Sequence, residues 1–394
     1  MSSLKNEPAP IAVIGAGLGG LGAAVGLLQQ GFRVRVYEQA DAFGEVGAGI
    51  SMSPNASKIL TAWGLGEQLA SLSCIPRSGT LRNGVTGELI QSQPLGDALE
   101  QAFGSPYYQL ARPDLHAMLV AEVQRLDPDA FCTGHRLTAI TGEDDAPVLH
   151  FANGSEVSAS LVIGADGSRS AVRACRFIDE PPRFTGHVAY RGVVPMDRLP
   201  ARYREPCAVV WLGDRRQLVH YPVAHFKALN VVAFVSNVDW DIESWNERAE
   251  LAELTGAFAS FCHEATEVLD YFDADQLFKW ALYDREPLDE WVRGRVVLLG
   301  DAAHPLLPYL GQGAAMAFED AWVLAGVLGQ HERVADALAD YQQRRVERAR
   351  WVLLESRAAG QRFHEPGQTS DRFANDAAMR TRQLFSAGPA TLME

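Results

Sequence analysis

The run IAVIGAGLGGLGAAVGLLQQGFRVRVYE at residues 11–38 constrains the fold more than any other part of this chain. Ile11 to Ile14 is a short apolar, β-branched run suited to a buried strand. Gly15, Gly17 and Gly20 follow in G-x-G-x-x-G spacing, and Leu21 to Gln30 suits a helix. Strand, tight turn and helix in that order make a dinucleotide cradle. The first glycines let the backbone turn sharply and approach a pyrophosphate, and the helix N-terminus presents unpaired N–H groups with a partial positive charge. Val34 to Tyr37 reads as a second strand ending at Glu38, whose carboxylate is placed to accept hydrogen bonds from ribose hydroxyls and would repel a 2′-phosphate. The glycine spacing alone is a weak signal. With both strands and Glu38 in register it reads as nucleotide binding.

Other classes fit the chain less well. Residues 8–32 carry no charge, as a membrane span or signal peptide would, but seven glycines interrupt the run, no basic stretch precedes it and a charged strand follows. The net charge of −14 argues against nucleic acid or an anionic membrane as partner, and an anionic substrate would need a locally basic pocket. The five cysteines are scattered, odd in number and never in C-x-x-C spacing, so neither a disulfide framework nor a metal site is expected. Buried thiols in a reducing cytoplasm are the expectation. At 394 residues the chain is long enough for two domains or one large composite domain.

Beyond Glu38 a glycine-rich segment leads to a helix beginning near Asn55, with Ser51 and Ser53 as pocket candidates. Residues 76–108 change to short strands with hairpin signals at Asn83-Gly84 and Thr86-Gly87. Arg112-Pro113-Asp114 opens a helix through Leu126, and Arg112 at its mouth either binds phosphate or caps a carboxylate. Residues 130–158 read as a small β-meander. Leu161 to Ile163 is a buried strand running into GADGSRSAVR, where Asp166 lies in a second strand–turn–helix element of the kind found in redox flavoproteins, although Asp-Gly is also common in plain turns.

Residues 180–283 are β-rich, with one helix expected over Trp245 to His263. Gln217, Val219 and Tyr221 share one face of their strand, and Leu218, His220 and Pro222 share the other. One face should point into a cavity. Val296 to Leu299 is a buried strand ended by Gly300-Asp301, and Gly311-Gln312-Gly313 leads into an amphipathic helix through Leu328. A carboxylate at such a strand end can hold sugar or ribityl hydroxyls, and the helix N-terminus favours a negatively charged ring. A long arginine-rich helix is expected from Ala335 to about Arg362, and the polar tail beyond Pro366 is expected to be peripheral.

Taken together, GAGLGG with Glu38, ARPDLHAML, IGADGSRSAVR, LLGDAAHP and GQGAAMAFEDA, in this order over residues 11–325, resemble the class A FAD-dependent aromatic monooxygenases, in particular the salicylate hydroxylase-like and hydroxybenzoate hydroxylase-like members. The resemblance implies an α/β fold: a Rossmann-like FAD-binding domain from residues 1–75, 109–180 and 284–330, an inserted β-sheet substrate domain from 76–108 and 181–283, and a C-terminal helical segment and tail over 331–394. It implies one FAD per chain, with Gly15, Gly17 and Gly20 on the pyrophosphate, Glu38 on the adenosine ribose, Arg112 on the phosphate or ribityl region and Asp301 on the ribityl chain. Asp166 would serve FAD and transient NADH or NADPH, and Gly311, Gly313 and Ala314 would lie beneath the flavin.

The chemistry implied is flavin reduction by NAD(P)H and transfer of oxygen from a C4a-hydroperoxide, formed with O₂, to an electron-rich ring. That attack needs a proton acceptor near the substrate hydroxyl and exclusion of water. Tyr221 matches a substrate-contacting tyrosine, with His220 beside it. Gln217 stands where several relatives have a histidine, which leaves the proton acceptor open, and Pro305 matches a proline at the flavin's reactive edge. Arg191 is either a carboxylate partner or a salt-bridged sheet residue.

The implied substrate is a small hydroxylated aromatic acid, salicylate-like. The alternatives are a hydroxynicotinate or hydroxypyridine, disfavoured by Ser51 and Ala303 where that branch has histidine and cysteine, or a flavoprotein oxidoreductase without ring hydroxylation. The implied enzyme is cytoplasmic, with no nucleic-acid or membrane partner, and a homodimer stays open.

Overall fold

A computed structural model describes residues 3–44, 49–236, 247–364 and 370–394. Two sheets organise it. The first has six strands in the order Val292–Arg293, Val296–Leu298, Leu161–Gly164, Ile11–Ile14, Val34–Tyr37 and Phe131–Cys132. All neighbours pair in parallel except the first two. The strand Ile11–Ile14 is central and buried on both faces, as its unbroken apolar run requires. Chain order reverses at this strand, with 34–37 on one side and 161–164 on the other, so a crevice opens at the carboxyl ends of the strands.

The helix Leu18–Gln29 packs against the helix Gly313–Gln330 through small residues. A Cβ on Gly22 would meet Phe318 at 3.0 Å, and one on Gly26 would meet the Ala325 methyl at 3.0 Å. The glycines that interrupt an apparently membrane-like run therefore set how closely two buried helices approach. Among the described residues no helix is long and apolar enough to cross a membrane.

The second sheet has eight strands in the order Glu247–Arg248, Phe278–Asp284, Arg183–Pro195, Ala228–Ser236, Arg216–Val223, Cys207–Gly213, Ser78–Asn83 and Leu89–Pro94. The parallel pairing of Cys207–Gly213 with Ser78–Asn83 joins chain segments more than a hundred residues apart into this one sheet. One face carries a separate core that includes Tyr190, Trp211, Leu218, Phe258 and Phe261. The other face looks toward the first sheet. A two-stranded ribbon, Gly49–Met52 with Tyr108–Ala111, lies between the sheets, and Gly49 N–H donates to Asn230 Oδ1 at 2.6 Å.

Two expectations about helices need correction. The single helix expected over Trp245–His263 is broken: Trp245 and Asn246 lie outside the described residues, and Glu247–Arg248 is a strand followed by the short helices Leu251–Ala257 and His263–Thr266. Phe258 and Phe261 both plug the sheet, and Cys262 N–H donates to Gly84 O at 2.6 Å, which a continuous helix would not allow. The tail is not peripheral. Ser370–Phe385 is a helix whose Phe385 ring packs on Phe103 and Tyr107, and Arg348 donates to the carbonyls of Gln383 and Leu384. The long helix Val334–His364 matches its expected span closely.

Candidate active site

A cavity of about 1150 Å³ runs from the glycine turn of the first sheet to the inner face of the second. At one end are Gly15 and Gly17. Gly15 has φ +99°, and a Cβ there would fall 2.6 Å from Ala165 O, so the close approach of two strand ends demands glycine. Gly17 N-caps the helix Leu18–Gln29 with no side-chain cap, and nothing lies within 4 Å of where its Cβ would be. The helix therefore turns its N–H groups toward open space, as an anionic pyrophosphate requires. Glu38 Oε2 accepts from Ala16 N–H at 2.8 Å and Oε1 from Ala40 N–H at 2.9 Å, which fixes the carboxylate on the cavity wall. Gly20 is not on that wall. Its Cβ would fall 2.0 Å from Gly15 O, so glycine there is required by the packing of helix on turn.

Midway along the cavity lie Arg112, Asp166 and Asp301. Arg112 is the first residue of its helix, ahead of Pro113. Asp301 is exposed to the cavity, yet the protein around it desolvates its carboxyl enough to push it up, against the pull of His304 and Arg112. Burial also raises Asp166, against hydrogen bonds from the Ser170 hydroxyl and Val172 N–H. Gly311, Gly313 and Ala314 line the same stretch, at the start of the helix Gly313–Gln330. The Gln312 side chain is turned away into a buried network, donating to Ser53 Oγ and accepting from Asn55 Nδ2, each at 3.0 Å. A second helix N-terminus thus faces the cavity without a side-chain cap. Two such termini, with the Glu38 carboxylate fixed on the wall beside the first, fit FAD extended between them.

The far end is aromatic. Gln217, Val219 and Tyr221 project into it from one strand, and Arg191, whose guanidinium lies 4.9 Å from the Trp280 ring centroid, from another. The Ser51 hydroxyl hydrogen-bonds both Tyr107 and Tyr221, and burial raises both phenols, that of Tyr221 well above its ordinary range. Gln217 is 4 % exposed and its Oε1 has no partner. A buried carbonyl left so is costly unless a ligand donates to it.

His220 is on the opposite face. Its Nε2 accepts from Trp211 Nε1 at 3.2 Å, Tyr203 packs edge-on against it, and burial lowers its pKa to about 4. Strict strand alternation removes it from the site. Pro305 is buried and absent from the wall, although Leu306 to Leu310 line it. Ser53 belongs to the buried network, whereas Ser51 faces the cavity.

Three features were not singled out from the sequence. Tyr107 and Tyr309 line the aromatic end. Behind the Gly300-Asp301 turn lies a sealed ion network: Arg345 bonds Asp320 at 2.7 Å and Glu319 at 2.9 Å, and Asp320 accepts from His304 Nε2 at 2.6 Å and Gly300 N–H at 3.0 Å. The C-terminal helix adds Ala377, Thr381 and Phe385 to the wall, a spacing of four residues that shares one helix face.

Comparison with known proteins agrees with this geometry. Residues 8–356 match the family described as FAD binding domain. The chain is 37% identical to 3-amino-4-hydroxybenzoate 2-monooxygenase PtmB3 of Streptomyces platensis over 384 residues, covering 97% of this chain and 95% of that protein. It is 38% identical to 6-hydroxynicotinate 3-monooxygenase of Pseudomonas fluorescens, covering 86% and 88%. A salicylate hydroxylase solved as a substrate complex superposes with a TM-score of 0.83 at 28% identity, covering 98% of each chain.

Proposed function

The chain belongs to the FAD binding domain family as an FAD-dependent aromatic monooxygenase, and from that premise we propose that it hydroxylates a small aromatic acid carrying a ring hydroxyl or amino group, with NAD(P)H as reductant. The observation that carries the substrate class is the buried, unpartnered Gln217 Oε1 in an aromatic compartment that also holds Arg191. A carbonyl oxygen takes an O–H or N–H hydrogen; a guanidinium takes a carboxylate. Gln217 pairs with Phe234, and Arg191 with Val232, on the same face of one sheet. The two side chains spring from strands two steps apart, roughly 10 Å across the sheet, which suits a substituted ring held between them.

FAD, when bound, would supply the redox chemistry that links NAD(P)H to O₂, with one oxygen atom entering the ring and the other leaving as water. The protein's own residues do the rest. Gly15, Gly17 and Glu38 would hold the adenosine diphosphate half of FAD, and Arg112, Asp166 and Asp301 its centre. The turn Gly311–Ala314 would hold the ring system at a helix N-terminus. Tyr221, fixed by Ser51, meets the substrate edge, and the aromatic wall excludes water.

The test uses FAD-loaded protein with NADH or NADPH and a panel of aminohydroxybenzoates, hydroxybenzoates and hydroxynicotinates, followed by product mass. One panel member should accelerate nicotinamide oxidation and gain one oxygen atom in near-stoichiometric yield. A hydroxynicotinate as sole substrate would move the assignment to the heteroaromatic branch. Nicotinamide oxidation yielding only hydrogen peroxide across the panel would overturn the substrate class.

A further inference from the structure

The aromatic compartment has a further hydroxyl group besides those of Tyr221 and Tyr107. Tyr309 lies in the turn between the strand Val296–Leu298 and the helix Gly313–Gln330, and it lines the cavity with its ring packed on Phe234 at a centroid distance of 5.3 Å. Phe234 is the register partner of both Gln217 and Ala189, so Tyr309 stands over the rung of the sheet that carries Gln217. The Tyr309 hydroxyl meets His187 Nδ1 at 2.5 Å. His187 precedes Ala189 by two residues on the cavity-facing side of its strand, is half-buried, and does not itself line the cavity. A cavity-lining phenol is thus joined to an imidazole outside the wall.

We propose that Tyr309 and His187 form the proton exit of the active site: as the ring hydroxyl of the bound aromatic acid gives its proton to the Tyr309 oxygen, the Tyr309 proton passes to His187 Nδ1. This rests on the hydroxylated-aromatic reading above. Two O–H bonds break, one on the substrate and one on Tyr309, and two bonds form, a new O–H on Tyr309 and an N–H on His187. No electrons change hands. The substrate becomes an electron-rich phenolate, the phenol of Tyr309 is restored, and the imidazolium releases its proton to water from its half-buried position.

The coupled transfer suits both groups. Burial pushes the Tyr309 phenol far above its ordinary range, so Tyr309 is no base by itself and acts only by giving up a proton as it takes one. Burial also holds His187 below its ordinary range, so the imidazole is neutral at pH 7 with a nitrogen lone pair to offer. With His220 turned into the core and Gln217 unable to accept a proton, this pair supplies a base to the inner face.

The experiment binds 4-hydroxy-3-nitrobenzoate, a hydroxybenzoate with a coloured phenolate, to FAD-loaded wild type, His187→Gln, Tyr309→Phe and the double variant. The buffer is acidic enough that most probe free in solution is phenol, and kcat is measured in parallel with whichever panel compound the enzyme hydroxylates. His187→Gln keeps an acceptor for the Tyr309 hydroxyl but cannot take its proton. Wild type should raise the phenolate fraction of the bound probe. Both single variants should bind the probe yet lose that gain, with kcat down about a hundredfold, the low end for a positioned proton acceptor. The double variant should fall no further than either single one, as expected of residues acting as a unit.

Retention of bound phenolate and kcat in His187→Gln overturns the proposal, as does a loss confined to Tyr309→Phe. If wild type hydroxylates no panel member, the substrate reading fails with it, and that outcome is separate from a wild type that works alongside variants that match it.

Discussion

The ion network behind the Asp301 turn allows a quantitative test through Arg345→Met. Arg345, Glu319 and Asp320 have fully buried side chains. Burial alone would push both carboxyls up, but Arg348, Arg345 and Asn55 outweigh it at Glu319, and His304 and Arg345 outweigh it at Asp320, leaving both below their ordinary range. Methionine fills much of the arginine's volume, so the variant removes charge with little cavity. Glu319 keeps Arg348 and Asn55; Asp320 keeps His304 and Gly300 N–H but loses the Arg345 guanidinium. Breaking a buried pair from one side costs about 3–5 kcal/mol, and the surviving partners favour the lower end, about 3 kcal/mol. Unfolding entropy of about 2.1 cal/mol/K per residue over 394 residues gives about 0.8 kcal/mol/K, so the melting temperature should fall by about 4 °C. Because both carboxyls are depressed, the wild-type advantage is fully present at pH 7 and fades only below about pH 4, as they protonate. Differential scanning calorimetry of FAD-loaded wild type and variant at pH 7 reads this directly. A fall under about 1 °C would refute the view that the network holds the turn.

Two further outcomes follow from the same geometry. His220 titrates near 4 when folded and near 6.5 when unfolded, so between these values the unfolded chain binds more protons and stability falls as pH drops; from pH 7 to pH 5 wild type should lose about 2 kcal/mol by urea unfolding beyond what His220→Leu loses, and equal losses would exclude His220 as the source. Gly15→Ala forces a methyl against Ala165 O at positive φ and should lower both melting temperature and FAD retention, whereas Gly17→Ala, with open space and φ −71°, should leave melting of the FAD-free protein unchanged and weaken FAD binding about tenfold by flavin fluorescence titration; unchanged FAD binding in Gly17→Ala would remove that glycine from the cofactor site.

What the sequence discloses and what it hides divide along a physical line. The cradle is legible because each part is local: four apolar residues make a central strand, a positive φ demands Gly15, and Glu38 follows a second strand at fixed reach. The alternation of Gln217, Val219 and Tyr221 against Leu218, His220 and Pro222 is legible for the same reason. Which of those faces becomes the cavity is not, because Phe258, Phe261 and Trp211 decide it by filling the opposite side, and only then is His220 committed to the core. Pro305 illustrates the converse, since nearness in sequence to Leu306 and Leu307 does not turn its ring toward the same space. The tail carried a signal in the four-residue spacing of Ala377, Thr381 and Phe385, but its target, the Tyr107 ring, stands far away in sequence.

The ion network shows why such pairings escape a linear reading. Nothing local in GQGAAMAFEDA or in the arginine-rich helix marks Glu319, Asp320 or Arg345 for the interior. They are buried together, each charge on condition that the other is present. Asp320 then serves two ends at once: it binds Arg345 on one oxygen and, on the other, Gly300 N–H and His304. Gly300 directly precedes Asp301, so the carboxylate that faces the cavity is aimed by a guanidinium that never touches it. Loss of Arg345 should therefore disturb the cofactor site through the turn and not through the electrostatics of the cavity, which separates a positioning role from a binding one.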